Sequence, residues 1–98
     1  MIVMADKFYC SDSPSIDRIL SPRYEILERS IHLNESRVYL QLYDYSHKLS
    51  IMWYFYKTNK DGTVIYKFDE FSSSWYEDSE VRSIRNQVID YLNCLLRG

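Results

Sequence analysis

Two hydrophobic periods divide the chain. From Tyr24 to Phe71 apolar side chains recur at every second position, the period of a β-strand. From Val81 onward they recur at three and four, the period of a helix with one buried stripe. The alternating region breaks at Asn34-Glu35-Ser36, at His47-Lys48 and at Asn59-Lys60-Asp61-Gly62, which predicts four strands over about 24–33, 37–46, 49–58 and 63–71. Links this short join only antiparallel neighbours, so the strands form a meander. Asp61-Gly62 suits a type I′ turn, which needs positive φ at both central residues.

The turns set a register. Two-residue loops at His47-Lys48 and Asp61-Gly62 would place Leu42 opposite Trp53, Leu40 opposite Phe55, and Phe55 opposite Phe68. One face then carries Val38, Leu40, Leu42, Ile51, Trp53, Phe55, Val64, Tyr66 and Phe68, with Leu27, Ile31 and Leu33 from the first strand. The amphipathic helix covers this face. Val81, Ile84, Val88, Tyr91, Leu92 and Leu95 make its stripe, and Ser74-Trp75-Tyr76-Glu77 reads as a capping box. Glu77, Asp78 and Glu80 at its start and Arg97 at its end suit the helix dipole. Ahead of the sheet, Ser13-Pro14 followed by Ile16, Ile19, Leu20 and then Pro22 predicts a two-turn helix over 14–20 capped by Ser13. Ile2 to Met4 suit a short edge strand. The expected architecture is α+β, one domain over 1–98: an N-terminal segment 1–22 with a short helix, an antiparallel sheet 24–71, and a helix 75–97 on one sheet face.

The other sheet face is unusual. It carries Tyr39, Gln41, Tyr43 and Tyr45 from the second strand, Met52, Tyr54 and Tyr56 from the third, and Ile65, Lys67 and Asp69 from the fourth, with Tyr39 beside Tyr56 and Tyr43 beside Met52. A solvent face is ordinarily charged or rich in Thr. Tyrosine favours strands and stabilises sheets through cross-strand pairs, and the N-terminal helix could also fold over these rings, so a purely structural role stands beside a functional one. The functional reading is a protein interface, because Tyr offers broad contact area, few rotors and a hydroxyl. A face-to-face homodimer would meet the same need.

Composition narrows the classes. Ninety-eight residues, ten of them Tyr, with 46% hydrophobic content and two Gly and two Pro, describe an ordered chain. Twelve Lys and Arg against fourteen Asp and Glu give net charge −2, spread evenly along the chain, which disfavours nucleic acid and leaves single-stranded RNA stacked on the rings as a weaker alternative. Cys10 and Cys94 have neither metal nor redox spacing and read as reduced thiols of a cytoplasmic protein, pairing only if the chain ends meet. No apolar run approaches the ~20 residues of a membrane span, and the start lacks the form of a signal peptide.

A catalyst is hard to assemble. His32 and His47 form no metal motif, and no glycine-rich loop holds a phosphate, so neither metal nor cofactor is expected. Arg29 with His32 or Tyr39 is the one arrangement that would suit a small ribonuclease or other hydrolase, without a positive site for phosphate. The stretch 69–80 holds five acids, no base and three aromatics, which makes Trp75, Glu77 and Asp78 a second contact patch for a basic partner surface as well as a helix start. The expectation is a small protein-binding module that masks its partner, of the inhibitor, immunity, phage anti-defence or chaperone type. The alternatives are a small-molecule or RNA-binding module and a small hydrolase.

Overall fold

The computed structural model describes residues 15–97. The expected strand at Ile2 to Met4, the Ser13-Pro14 helix start and Cys10 lie outside the described residues. The order of elements is α1 (Ile16–Leu20), β1 (Tyr24–Ser30), β2 (Arg37–Asp44), β3 (Leu49–Lys60), β4 (Thr63–Phe68) and α2 (Ser79–Arg97). The strands form one antiparallel sheet in the order β1-β2-β3-β4, the expected meander and the expected α+β fold.

The cap of α1 is Ser15, whose hydroxyl accepts from the Arg18 N–H at 3.3 Å. Ile16, Ile19 and Leu20, the expected apolar edge, are all buried. They join a core with Leu40, Leu42, Trp53, Phe55, Val81, Val88 and Leu92, so α1 and α2 lie on the same side of the sheet.

The register of β3 and β4 is the expected one, with Phe55 opposite Phe68. Asp61 and Gly62 both have positive φ, 52° and 82°, as a type I′ turn requires. The register of β2 and β3 differs by two residues: Leu42 faces Ile51, Leu40 faces Trp53, and Val38 faces Phe55. The cause is the loop, which spans four residues, 45–48. Asp44 Oδ1 accepts from the N–H groups of Ser46 at 2.9 Å and His47 at 3.3 Å, and the Lys48 N–H donates to the Asp44 carbonyl at 2.6 Å. Lys48 takes the positive φ, 56°, that closes the turn. An even shift leaves each side chain on its expected face while changing its neighbour.

Strand β1 carries a bulge, with Ile26 opposite Leu42 and Glu28 opposite Gln41. The extra residue reverses the parity, so Tyr24 and Ile26 point inward before it and Ile31 and Leu33 pack on the core beyond it. Leu27, expected inside, is 48% exposed, and Val64 near the β3–β4 turn is 49% exposed. At the centre of the core, the Trp53 ring meets Tyr24, Phe55 and Phe68 edge-on, at 5.1, 6.4 and 5.9 Å between centroids.

Helix α2 begins later than expected. Its cap is Asp78, whose Oδ1 accepts from the Val81 N–H at 2.8 Å. The expected box residues do other work. The Ser74 hydroxyl accepts from the Met52 N–H at 2.9 Å, and Glu77 pairs with Arg82 at 2.7 Å. Val81, Ile84, Val88 and Leu92 bury the stripe, with Tyr91 packed against it, and Asn93 Oδ1 accepts from the Tyr66 N–H on the outer edge of β4 at 2.7 Å. Cys94 is disulfide-bonded, which corrects the reading of a reduced thiol and removes that argument for a cytoplasmic address. No helix among the described residues is long and apolar enough to cross a membrane.

Candidate protein-binding face

With α1 and α2 on the aliphatic side, the opposite side of the sheet presents Tyr39, Gln41 and Tyr43 from β2 and Met52, Tyr54 and Tyr56 from β3. Neither helix of the described residues lies over it. The register that the four-residue loop imposes pairs Tyr39 with Tyr54 rather than Tyr56, and Gln41 rather than Tyr43 with Met52. The Tyr39 and Tyr54 rings stack with centroids 5.7 Å apart. Tyr43 and Tyr45 meet edge-to-face at 5.1 Å. Tyr45 is 50% exposed and Tyr56 is 37% exposed, and the other face residues are half-buried.

Charged residues frame the rings. Glu25 pairs with Tyr43 and Glu28 with Gln41 across the β1–β2 ladder, so both carboxylates border the face. A hydrogen bond to Glu28 raises the Tyr39 hydroxyl pKa above its ordinary value, and one to Glu25 does the same for Tyr45. The Tyr45 hydroxyl donates to the Glu25 carboxylate. At the opposite border the Arg37 guanidinium lies 4.6 Å from the Tyr54 ring centroid and donates to Asp69 at 3.3 Å.

The stretch 69–78 runs back along the edge of β3 that β4 leaves open. The Asp69 N–H donates to the Tyr54 carbonyl, and the Ser74 N–H to the Met52 carbonyl, both at 2.8 Å. The Ser73 hydroxyl accepts from the Tyr54 N–H, also at 2.8 Å. The serine run thus supplies hydrogen bonds where a strand would, and it covers an edge otherwise open to another chain. One residue of this loop, Phe71, is 94% exposed, although burying such a ring is worth about 1.5–3 kcal/mol. Sequence periodicity had placed it at the end of the fourth strand and gave no reason to single it out.

The second predicted patch is not joined to the tyrosines. Trp75 is partly buried against Phe68, with ring centroids 5.6 Å apart, and the Arg85 guanidinium lies 4.9 Å from its ring. Glu77 lies on Arg82 and Arg85. Asp78 and Glu80 both meet the buried Arg23, at 2.9 and 3.0 Å. Burial opposes the Arg23 cation, but the hydrogen bonds it donates to Asp78 and Glu80 outweigh it and raise its pKa. Trp75, Glu77 and Asp78 therefore sit in the helix layer, each with an intramolecular partner.

Arg23 also approaches Asp44 at 3.6 Å, and the Asp44 carboxylate lies 3.0 Å from His47 Nδ1. Burial pushes the Asp44 carboxyl up, yet its hydrogen bonds with the His47 ring and with the backbone of His47 and Ser46, together with the Arg23 charge, bring it below its ordinary value. The His47 ring stacks flat on Tyr76 at 3.8 Å. This cluster ties the start of β1, the end of β2 and the start of α2 together.

Of the hydrolase arrangement, Arg29 and Tyr39 lie on opposite faces of the sheet. Arg29 sits opposite Leu40 on the helix side and pairs with Asp17 at 3.1 Å, whereas Tyr39 projects from the other face. Among the described residues no three His, Cys, Asp or Glu side chains converge as metal ligands. A cleft of about 470 Å³ between α1 and α2 and another of about 300 Å³ beside Tyr24 and Tyr45 open at the flank of α1, away from the Tyr39–Tyr54 stack. No protein-family model, curated protein or solved structure matches this chain, so its function is argued from the geometry alone.

Proposed function

We propose that this chain is a protein-binding module that works by covering a surface of its partner with the tyrosine face of the sheet. The observation that supports this reading is the placement of both described helices on the opposite side, which leaves a stacked and hydrogen-bonded set of tyrosines facing outward. Such rings lose little freedom on binding, because stacking on a rigid sheet has already fixed them. The Tyr45 hydroxyl, donating to Glu25, presents a polar point at the border. A partner bearing Lys or Arg would meet those carboxylates directly.

The acids of the 69–80 stretch act at longer range. All but Glu70 pair with arginines of this chain, and the stretch still contributes a negative field that speeds the approach of a basic partner. Masking of this kind suits an inhibitor or an immunity-type protein, and it asks for no catalytic group.

Affinity capture from the source cell or its host, quantified by mass spectrometry, tests the reading with wild type and the Tyr54→Ala/Tyr56→Ala variant. One protein recovered by the wild type at near-equal stoichiometry, and lost with the folded variant, is the expected result. Equal recovery by both would sink the proposal.

A further inference from the structure

We propose that Phe71 is an anchor for an apolar pocket on a partner protein, a pocket whose rim carries Lys or Arg opposite Glu70. The proposal rests on the reading of the adjoining tyrosine face as protein-binding, and it adds a site outside that face. Isolated apolar side chains are common on protein surfaces. Phe71 differs because the backbone that presents it is fixed.

Asp69 Oδ1 accepts from the N–H groups of Phe71 at 3.2 Å and Ser72 at 3.1 Å, and the Ser73 N–H donates to the Asp69 carbonyl at 3.1 Å. The hydroxyls of Ser73 and Ser74 then tie the loop to β3. A ring carried on such a loop gives up little backbone freedom when it binds, and aromatic anchors of this sort concentrate the energy of an interface. The loop is continuous with the tyrosine face, because Asp69 also accepts from Arg37, whose guanidinium lies over Tyr54.

Charge specifies the rim. Asp69, Glu77, Asp78 and Glu80 each face an arginine of this chain, Arg37, Arg82 and Arg23 among them. Glu70, next to Phe71, is exposed, and the stretch 69–80 contains no base. An apolar pocket with a basic rim complements this tip, whereas an acidic or purely apolar surface would leave Glu70 desolvated without a partner.

The test places the photo-crosslinker p-benzoyl-phenylalanine at position 71 of the full chain, with position 64 as a control because Val64 is also an exposed apolar residue. After irradiation in the source cell, the protein crosslinked at 71 is identified, purified and titrated with wild type, Phe71→Ala, Glu70→Lys and Tyr39→Ala/Tyr54→Ala. The expected result is one adduct at 71 and none at 64, binding at least tenfold weaker for Phe71→Ala with an unchanged melt, and weaker binding for Glu70→Lys. The proposal is overturned by no adduct at 71 beyond the control, by an adduct that is a second copy of this chain, or by binding of Phe71→Ala within twofold of wild type. Loss with the tyrosine variant alone would refute the anchor and leave the face standing. Loss with Phe71→Ala alone would support the anchor and refute the face.

Discussion

The contrast between neighbouring residues on β3 carries the account at its smallest scale. Trp53 points into the core and is fully buried, while Tyr56, three residues on, faces outward. Trp53→Ala removes a ring that touches Tyr24, Phe55 and Phe68 and should cost about 3–5 kcal/mol. Tyr56→Ala should cost less than about 1 kcal/mol. Urea unfolding of the two variants checks both values. Asp44 is the polar counterpart of Trp53. Its removal takes one of three carboxylates from the buried Arg23 and the acceptor of two N–H groups from the β2–β3 loop, so Asp44→Ala should cost about 1–3 kcal/mol by the same measurement. A loss below about 1 kcal/mol would mean that the loop closes without it.

At the scale of elements, the strands, their order and both helices were legible in the periods, because burial on one face leaves its mark at every second or every third and fourth position. Details set by side-chain hydrogen bonds were not. Asp44 lengthens a turn that His47-Lys48 alone suggests is tight, and the β2–β3 register moves with it. Cross-strand NOEs should therefore join Leu40 to Trp53 and Val38 to Phe55, and not Leu40 to Phe55. The capping box was misplaced because Ser74 and Asp78 both have the side chain of a cap, and only the long-range use of Ser74 on β3 distinguishes them. Asp78→Ala should accordingly lower the melting temperature more than Glu77→Ala, with Asp78→Asn between wild type and Asp78→Ala because Asn still caps. Of the candidate site, the tyrosine face was legible from alternation. Phe71 was not, since its exposure follows from the turn that the Asp69 carboxylate closes over Phe71 and Ser72 before Ser73 and Ser74 rejoin β3.

For the whole molecule, charge sets the pH limits of stability. The Asp44 carboxyl is held below its ordinary value despite burial, by the hydrogen bonds with His47 and Ser46. Asp78 is lowered by the Val81 N–H and Arg23, and Asp69 by the Ser72 side chain and then the N–H groups of Ser72 and Phe71. Groups with depressed folded values contribute stability that is present above their ordinary pKa and lost as pH falls through the folded value. The melting temperature should thus hold near neutral pH and fall below about pH 4. At the alkaline end, burial pushes the Tyr24 hydroxyl up to about 12, and its stabilising contribution is lost as pH rises from 10 through that value. Melts across pH 2 to 12 trace both limbs, and a flat acid limb would contradict the carboxylate assignments.

The proposed protein-binding role requires that the tyrosine face be open to solvent. Hydroxyl-radical footprinting of the 98-residue chain, read tyrosine by tyrosine, tests it without a partner. The account predicts rapid labelling of Tyr45 and Tyr56, and labelling of Tyr24 and Tyr66 only after denaturation. Protection of Tyr45 and Tyr56 to the level of Tyr24 would show the face to be covered within the chain, and the protein-binding reading would fall with it.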